Sequence, residues 1–271
     1  MSPTIISITN QKGGVGKTTT SINLSAGLAY LGKKILLVDF DPQGNATQGV
    51  GATRQSFVKS IYDVIMNDVE VKDAVKTMKI PPLDILPATI DLAGADLEMV
   101  EYKYGREKLL KNKLVAVKND YDYIIIDTPP ALNLLTVNAY AVSDYLIIPL
   151  ASDILSLVGL AQLKETIESV RESFNPGLKV MGILLTRFNK RTVLSRDVME
   201  MAQQLASQIN TVVFRTKIRT GVAIAEAPAH GESIFDYNPR SSAVKDYQDL
   251  IQEVGEAIHI KEVMERAKED Q

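Results

Sequence analysis

The chain has 271 residues, of which 45% are hydrophobic and 23% are charged, a balance typical of a globular protein with a buried core. It contains no cysteine and two histidines, which excludes disulfides, thiolate metal sites and cysteine nucleophiles and disfavours a histidine metal site. The formal net charge of −3 argues against a surface that is basic throughout, but it allows a local basic face. No apolar run is long enough to span a membrane and no signal peptide is expected, so we expect a cytoplasmic protein.

The predicted elements begin with a strand, a glycine-rich loop and a helix. Residues 4–9 form a β-branched apolar run, residues 10–19 contain three glycines and two lysines, and residues 20–30 are rich in Ala, Leu, Ile and Ser. Inward-facing backbone N–H groups of such a loop, together with the positive dipole end of the helix, are expected to bind phosphate. The alternative is a turn that only joins the strand to the helix, but such a turn needs one glycine rather than three.

Within this loop, Lys17 is expected to reach the β- and γ-phosphates of a nucleotide, and the Thr18 hydroxyl is expected to ligate Mg²⁺. The general P-loop pattern has glycine at position 11, where this chain has Gln11, and one lysine already suffices for the phosphates. The second lysine, Lys12, could therefore cross a dimer interface to the nucleotide of a partner subunit, as an arginine finger does. The other predicted nucleotide-binding residues of the loop are Gly13, Gly14, Val15, Gly16 and Thr19.

Acidic residues follow two further predicted strands. Residues 35–40 are a nearly continuous apolar run that leads into Asp39 and Asp41, and residues 122–130 contain a second such run, which ends at Asp127. We expect Asp127 to hold Mg²⁺ through water, Asp41 to orient the attacking water and Asp39 to support the metal. The alternative for each acid is a structural role in the turn that follows its strand.

The rest of the chain alternates between short apolar strands and helical segments. This rhythm predicts an α/β fold with a doubly wound, mostly parallel sheet flanked by helices, of the P-loop NTPase type. Because no linker or repeat is visible, residues 1–271 are predicted to form one ATPase domain with a C-terminal helical tail from about residue 242. The remaining predicted strands are residues 83–87, 146–150 and 180–185, and the predicted helices are residues 60–66, 69–78, 91–102, 106–118, 156–174, 193–208 and 242–258.

Several boxes of the sequence resemble the ParA/MinD superfamily of deviant Walker A ATPases. The boxes are residues 12–19, 38–47 and 126–130, and residues 226–231 and 239–241 match the C-terminal signature of ParA/Soj partition ATPases. The resemblance, which runs from about residue 4 to residue 255, implies slow ATP hydrolysis with Mg²⁺ in an ATP-sandwich homodimer, with Lys12 acting in trans and Asp41 positioning the water. It also implies that the ATP dimer binds double-stranded DNA non-specifically on the nucleoid and that a ParB-type centromere-binding protein stimulates hydrolysis.

The sequence departs from this family between residues 218 and 228. The Pro and Asn that the family places near adenine are Arg219 and Gly221 here, and an Arg of the family's DNA contact is Ala223. A local basic surplus nevertheless lies between residues 187 and 219, where seven basic residues stand against two acidic ones. Such a face could track phosphates without reading bases, although a merely solvated face is the alternative. The predicted DNA-binding residues are Arg191, which falls where the family places a DNA-binding Arg, and Arg215, Lys217 and Arg219.

The main alternative function is a nucleoid-associated ATPase that positions a protein cargo, which would use the same ATPase site. A MinD-like membrane anchor is disfavoured, because residues 253–271 hold six acidic against three basic residues and would be repelled by anionic lipid. The absence of cysteine excludes the iron–sulfur enzymes of the superfamily, and the absence of a Tyr-rich tail disfavours its tyrosine kinases.

Overall fold

The sheet of this protein has seven strands and is parallel except at one edge. The computed structural model describes residues 2–79, 81–153 and 155–269, so Asp270 and Gln271 of the predicted acidic tail lie outside the described residues. The strand order is β3-β4-β2-β5-β1-β6-β7, with crossovers that bury the central strands. The strands are β1 (Thr4–Ile8), β2 (Ile35–Asp39), β3 (Lys76–Thr77), β4 (Asp84–Leu86), β5 (Tyr123–Asp127), β6 (Tyr145–Ala151) and β7 (Lys179–Thr186).

Helices cover both faces of this sheet, and each face has its own hydrophobic core. In β2, Leu36 and Val38 belong to one core while Ile35 and Leu37 belong to the other. Because all four side chains are buried, the strand reads as a continuous apolar run, as expected for a parallel strand covered on both faces. The predicted doubly wound α/β fold is therefore confirmed.

The helices predicted at residues 60–66, 156–174 and 193–208 begin and end within one residue of those positions, whereas the last helix continues to Glu269 instead of ending at about residue 258. They are α1 (Lys17–Tyr30), α2 (Asn45–Gly49), α3 (Ile61–Met66), α4 (Val71–Ala74), α5 (Leu92–Glu98), α6 (Leu109–Leu114), α7 (Leu134–Val142), α8 (Leu155–Ser173), α9 (Val193–Gln208), α10 (Val222–Glu226), α11 (Ile234–Tyr237) and α12 (Ser242–Glu269). Among the described residues, none of the helices is long and apolar enough to cross a membrane.

Two local predictions need correction. Residues 69–78 were expected to form one helix, but the helix stops at Ala74, and Lys76–Thr77 instead pairs antiparallel with β4. The Pro81–Pro82 pair, which cannot continue a helix, turns the chain back, and the Met78 N–H donates to the Leu83 carbonyl at 2.8 Å. Helix α7 was not expected from the sequence, although Asn133 caps it by accepting a hydrogen bond from the Thr136 N–H.

The strand order brings the predicted site residues to one edge of the sheet. Strand β5 lies between β2 and β1, and the paired registers set Asp127 beside both Asp39 and Ile8. The glycine-rich loop leaves the sheet directly after β1 and leads into α1. The loop and the acids therefore meet at the carboxyl ends of the central strands, where open α/β sheets bind ligands.

Candidate nucleotide-binding site

The loop between β1 and α1 is tied to its neighbours through side chains and backbone. The Asn10 amide donates to the Pro149 carbonyl at 2.8 Å and accepts from the Lys12 N–H at 3.0 Å. At its far end, the Thr186 hydroxyl donates to the Val15 carbonyl at 2.7 Å. Gly16 precedes α1 with φ 90°, a left-handed conformation that favours glycine. The loop is thus held in a fixed curve in front of the N-terminus of a 14-residue helix.

The two lysines of the loop have different surroundings. Lys17 is 6% exposed, and its Nζ donates to the Lys12 carbonyl at 3.0 Å, so it lies across the inside of the loop. Burial lowers the pKa of Lys17, while the charges of Asp127 and Asp41 oppose that shift. The Lys12 Nζ is 2.6 Å from Oδ1 of Asp153, which follows β6. In this state Lys12 therefore forms an ion pair within its own chain.

Asp127 is fully buried and is bound by two hydroxyls of α1. The Thr18 hydroxyl donates to its Oδ2 at 2.7 Å, and the Ser21 hydroxyl donates to its Oδ1 at 2.8 Å. Burial raises the pKa of Asp127 to about 7, with a further contribution from Asp39, against the opposing effect of both hydroxyls and of Lys17. The structure thus brings together the two residues that were each expected to serve Mg²⁺, and their metal role stays a prediction.

The other two acids differ in their contacts. Asp39 is also fully buried, and its Oδ2 accepts from both the N–H and the hydroxyl of Thr47 at 2.7 Å. Burial raises the pKa of Asp39 to about 6, opposed by these hydrogen bonds. Asp41 is 6% exposed, lines the cleft, and accepts from the Gln43 N–H at 3.0 Å. Asp41 therefore faces the ligand space, whereas Asp39 holds α2 in place through Thr47.

A cleft of about 760 Å³ extends from the loop along the carboxyl edge of the sheet. Gly13, Gly14, Lys17 and Thr18 line one end, and apolar side chains including Ile218, Ile224 and Pro228 line the other. This volume and this division suit a nucleotide, with phosphates at the loop and a base at the apolar end. A second cavity of similar size, about 770 Å³, lies between α1 and α12 and is lined by none of the predicted site residues.

The polar groups at the loop fit a magnesium nucleotide. Within the described residues there is no cluster of three or more His, Asp or Glu that could hold a metal without other ligands. Mg²⁺ commonly takes one or two protein oxygens and completes its shell with water and substrate phosphates. The Thr18 hydroxyl and the Asp127 carboxylate supply such oxygens beside the loop, and the raised pKa of Asp127 marks a buried carboxylate without a full countercharge.

The predicted DNA-binding residues do not share one environment. Arg191 is exposed in the turn before α9, and no carboxylate among the described residues forms an ion pair with it. Arg215 instead pairs with Glu253 and Glu256 of α12, and the Lys217 Nζ donates to the Arg215 carbonyl. The carboxylates offset the charge of Arg215, although its side chain stays 75% exposed, and the contact of Lys217 is with a neutral carbonyl.

Arg219 lines the cleft, and its backbone pairs with Phe188, just before the turn that carries Arg191. Its guanidinium donates to both carboxylate oxygens of Asp246, at 2.7 and 2.6 Å, and its backbone N–H donates to the same group at 3.1 Å. Arg219 thus links the apolar end of the cleft to α12. The assignment of Arg215, Lys217 and Arg219 to DNA remains a prediction, and these ion pairs and hydrogen bonds weigh against it.

Sequence reasoning missed three residues that lie at the site. Ser21 and Thr47 each bind a buried carboxylate. Thr47 is the last residue of the box at 38–47, but no role was predicted for it, and nothing in the sequence around Ser21 distinguishes it from an ordinary helix residue. Arg187 was grouped with the basic face, but it lines the cleft, where a Cβ built on Gly14 would lie 3.7 Å from its Nη2. Arg187 also adopts φ 50°, an uncommon left-handed conformation for a residue with a side chain.

Comparison with known proteins gives close matches over most of the chain. A family model described as an AAA domain matches residues 3–180. The chain is 48% identical over 250 residues to the sporulation initiation inhibitor protein Soj of Bacillus subtilis, covering 92% of this chain and 97% of that protein. It is 41% identical over 250 residues to the chromosome partitioning protein ParA of Myxococcus xanthus, covering 92% and 87%. A solved structure of cobyrinic acid a,c-diamide synthase from Mycobacterium smegmatis, with bound ATP analog and magnesium, is 33% identical with a TM-score of 0.81 and covers 92% and 93%.

Proposed function

The chain belongs to the ParA/Soj family of partition ATPases, and from that premise we propose that it is a Mg²⁺-dependent ATPase switch for plasmid or chromosome partition. In this proposal ATP drives dimerisation, the dimer retains double-stranded DNA non-specifically on the nucleoid, and a ParB-type protein stimulates a slow hydrolysis. The observation that carries the proposal is the convergence of Lys17, Thr18 and Asp127 on a loop that also presents a second lysine, Lys12.

In this proposal, different residues of the chain have different roles in ATP hydrolysis. Lys17 would exchange the Lys12 carbonyl for phosphate oxygens, because its Nζ already lies inside the loop. Thr18 and Asp127 would hold Mg²⁺, which, when bound, neutralises charge on the phosphates. Asp41, fixed by the Gln43 N–H at the cleft wall, would accept a hydrogen bond from the attacking water and orient it.

In this proposal, Lys12 couples ATP binding to dimerisation. Its ion pair with Asp153 joins side chains that are 34% and 41% exposed, so solvent screens it and it is worth at most about 1 kcal/mol. A nucleotide phosphate of a partner subunit presents more negative charge and would compete well for the same ammonium group. We therefore assign Lys12 two states, one bound to Asp153 in its own chain and one bound to a partner's nucleotide.

The basic surface around Arg191 supports the proposed DNA binding. Lys190, Arg191 and Arg196 are exposed in and just after the turn between β7 and α9. Among the described residues none of them has a carboxylate partner, so their charges are available to phosphates. The alternative in which the ATPase positions a protein cargo uses the same nucleotide site and differs in the partner that the dimer recruits.

Retention of DNA in three nucleotide states tests the proposal. We expect a gel-shift of a random-sequence duplex with ATP, and none with ADP or without nucleotide, and we expect added salt to abolish it. Arg191→Glu should weaken the shift, whereas Lys118→Glu should not, because Lys118 precedes β5 at the amino ends of the parallel strands, while Arg191 follows β7 at their carboxyl ends. Equal retention in all three states, or equal loss in both variants, would contradict the proposal.

A further inference from the structure

Two segments that each supply residues to the lining of the cleft meet with backbone against backbone. The contact joins Gly51, just after α2, to Gly231, which follows α10. A Cβ built on Gly231 would lie 2.7 Å from the Gly51 Cα and 3.0 Å from its nitrogen, distances that real Cβ atoms do not tolerate. A Cβ on Gly51 would lie 3.1 Å from the Gly231 carbonyl oxygen. A side chain on Gly231 would force the two segments apart, and one on Gly51 would require the Gly231 carbonyl to move by a few tenths of an ångström.

The first segment, residues 39–51, carries two of the three acids of the site, Asp39 and Asp41. The Thr47 N–H and hydroxyl bind Asp39, and the Ala52 N–H donates to the Thr47 carbonyl at 3.0 Å. The Gly51 N–H donates to the Gln48 carbonyl at 2.9 Å, so Gly51 moves with α2. Because α2 begins four residues after Asp41, a shift of α2 would be passed to Asp41.

The second segment, residues 224–231, lines the apolar end of the cleft. Ile224, Pro228 and Ala229 face the space assigned to the base. The Gly231 N–H donates to the Pro228 carbonyl at 3.1 Å, which fixes Gly231 relative to the cleft wall. A Cβ on Gly49 would lie 3.3 Å from the Pro228 Cβ, so the two segments also pack closely one turn earlier.

We propose that Gly51 and Gly231 are positioning residues for ATP hydrolysis. Their contact makes the position of Asp41 depend on the position of the cleft wall that receives the base. The proposal rests on the proposed ATPase function. Close-packed backbone contacts transmit displacement, since no flexible side chain lies between them to absorb it. The base end of the cleft is thereby coupled to the carboxylate that orients water.

Gly231→Ala tests this coupling, and Gly105→Ala is its matched control. Both glycines have similar positive φ values, 72° and 76°, but nothing lies within 4 Å of a Cβ on Gly105. The two variants therefore share the backbone strain and differ in the contact. We expect Gly231→Ala to bind a fluorescent ATP analogue with nearly wild-type affinity and to lose about ten- to a hundredfold in single-turnover hydrolysis. Gly105→Ala should match the wild type in both measurements.

Hydrolysis by Gly231→Ala at the rate of the control would overturn the coupling, as would a parallel loss of affinity and rate. If circular dichroism shows that Gly231→Ala does not fold, Gly51→Ala is tested in its place, because the closest contact of its added Cβ is a single carbonyl oxygen. A wild-type hydrolysis rate in Gly51→Ala would then overturn the coupling, and a reduced rate with intact binding would support it. Failure of the wild type itself to hydrolyse ATP would instead overturn the proposed function.

Discussion

Ser21 provides a sharp test of the role assigned to Asp127. The Ser21 hydroxyl is fully buried and donates to Asp127 Oδ1 at 2.8 Å, while Thr18 serves the other carboxylate oxygen. In Ser21→Ala the carboxylate loses one donor and gains no replacement, because the site is closed to solvent. The substitution therefore removes a donor to Asp127 and a 3.1 Å contact with the Lys17 backbone carbonyl, but it leaves every side chain assigned to the nucleotide in place.

The size of the effect follows from the charge of the acceptor. A hydrogen bond to a charged group contributes about 1.5–3 kcal/mol. The lower value corresponds to about tenfold in an equilibrium constant. Since this donor favours the charged carboxylate, its loss raises the pKa of Asp127 above about 7 and weakens Mg²⁺ binding. Because loss of a hydrogen bond that orients a metal-binding carboxylate costs about 10- to 100-fold in metal affinity, we expect the Mg²⁺ concentration at half-saturation to rise about tenfold.

The assay is a Mg²⁺ titration of binding of a fluorescent ATP analogue at pH 8, where wild-type Asp127 is mostly charged. Ser25→Ala is the matched control, because Ser25 is one turn further along α1 and its hydroxyl is buried with no hydrogen-bond partner among the described residues. The control should keep the wild-type Mg²⁺ requirement. Equal titration curves for Ser21→Ala and Ser25→Ala would refute the assignment of Asp127 to the metal.

Four other substitutions concern charged residues. Arg187→Ala should weaken ATP binding, measured by fluorescence, about tenfold and leave DNA affinity, measured by gel-shift, unchanged. Arg191→Ala should leave ATP binding unchanged, weaken DNA binding, and reduce by about one the slope of the logarithm of DNA affinity against the logarithm of salt concentration. Arg219→Ala should lower the melting temperature by about 2–4 °C, since it breaks the pair with Asp246, and should leave DNA retention unchanged; a larger effect on DNA than on melting would contradict this. Asp153→Asn releases Lys12 from its ion pair. It should therefore lower, by up to about fivefold, the protein concentration at which half of the chains are dimeric with ATP, measured by light scattering. An unchanged or higher concentration would argue against two states of Lys12.

Local patterns were sufficient to predict most of the fold. Strands β2 and β5 are apolar runs that end in an acid, and burial on both faces explains why those runs are continuous. The antiparallel β3 could not be predicted in this way, because two residues carry no periodicity and their pairing with β4 depends on a turn. Helix α7 was missed although Asn133 is a recognisable N-cap, because its apolar residues resemble a strand.

Contacts across long sequence distances account for the rest of the site. Lys12 and Asp153 are 141 residues apart, and Ser21 and Asp127 are 106 apart, so neither pair leaves a local signal. The surplus of basic residues was visible in the sequence. Which of them pair with carboxylates was not visible, because the pairing of Arg219 with Asp246 depends on how α12 packs. Charge counts therefore predicted a basic region and could not separate the residues that pair with carboxylates from those that, among the described residues, do not.

The central claim is that ATP assembles this chain through Lys12, and light scattering of the wild type and Lys12→Ala tests it most directly. With a non-hydrolysable ATP analogue and Mg²⁺, we expect the wild-type mass to double from 29.8 kDa and to return to the monomer value with ADP. Lys12→Ala should bind the analogue and stay monomeric. A wild-type mass that does not change with the nucleotide, or a Lys12→Ala variant that dimerises like the wild type, would contradict the account.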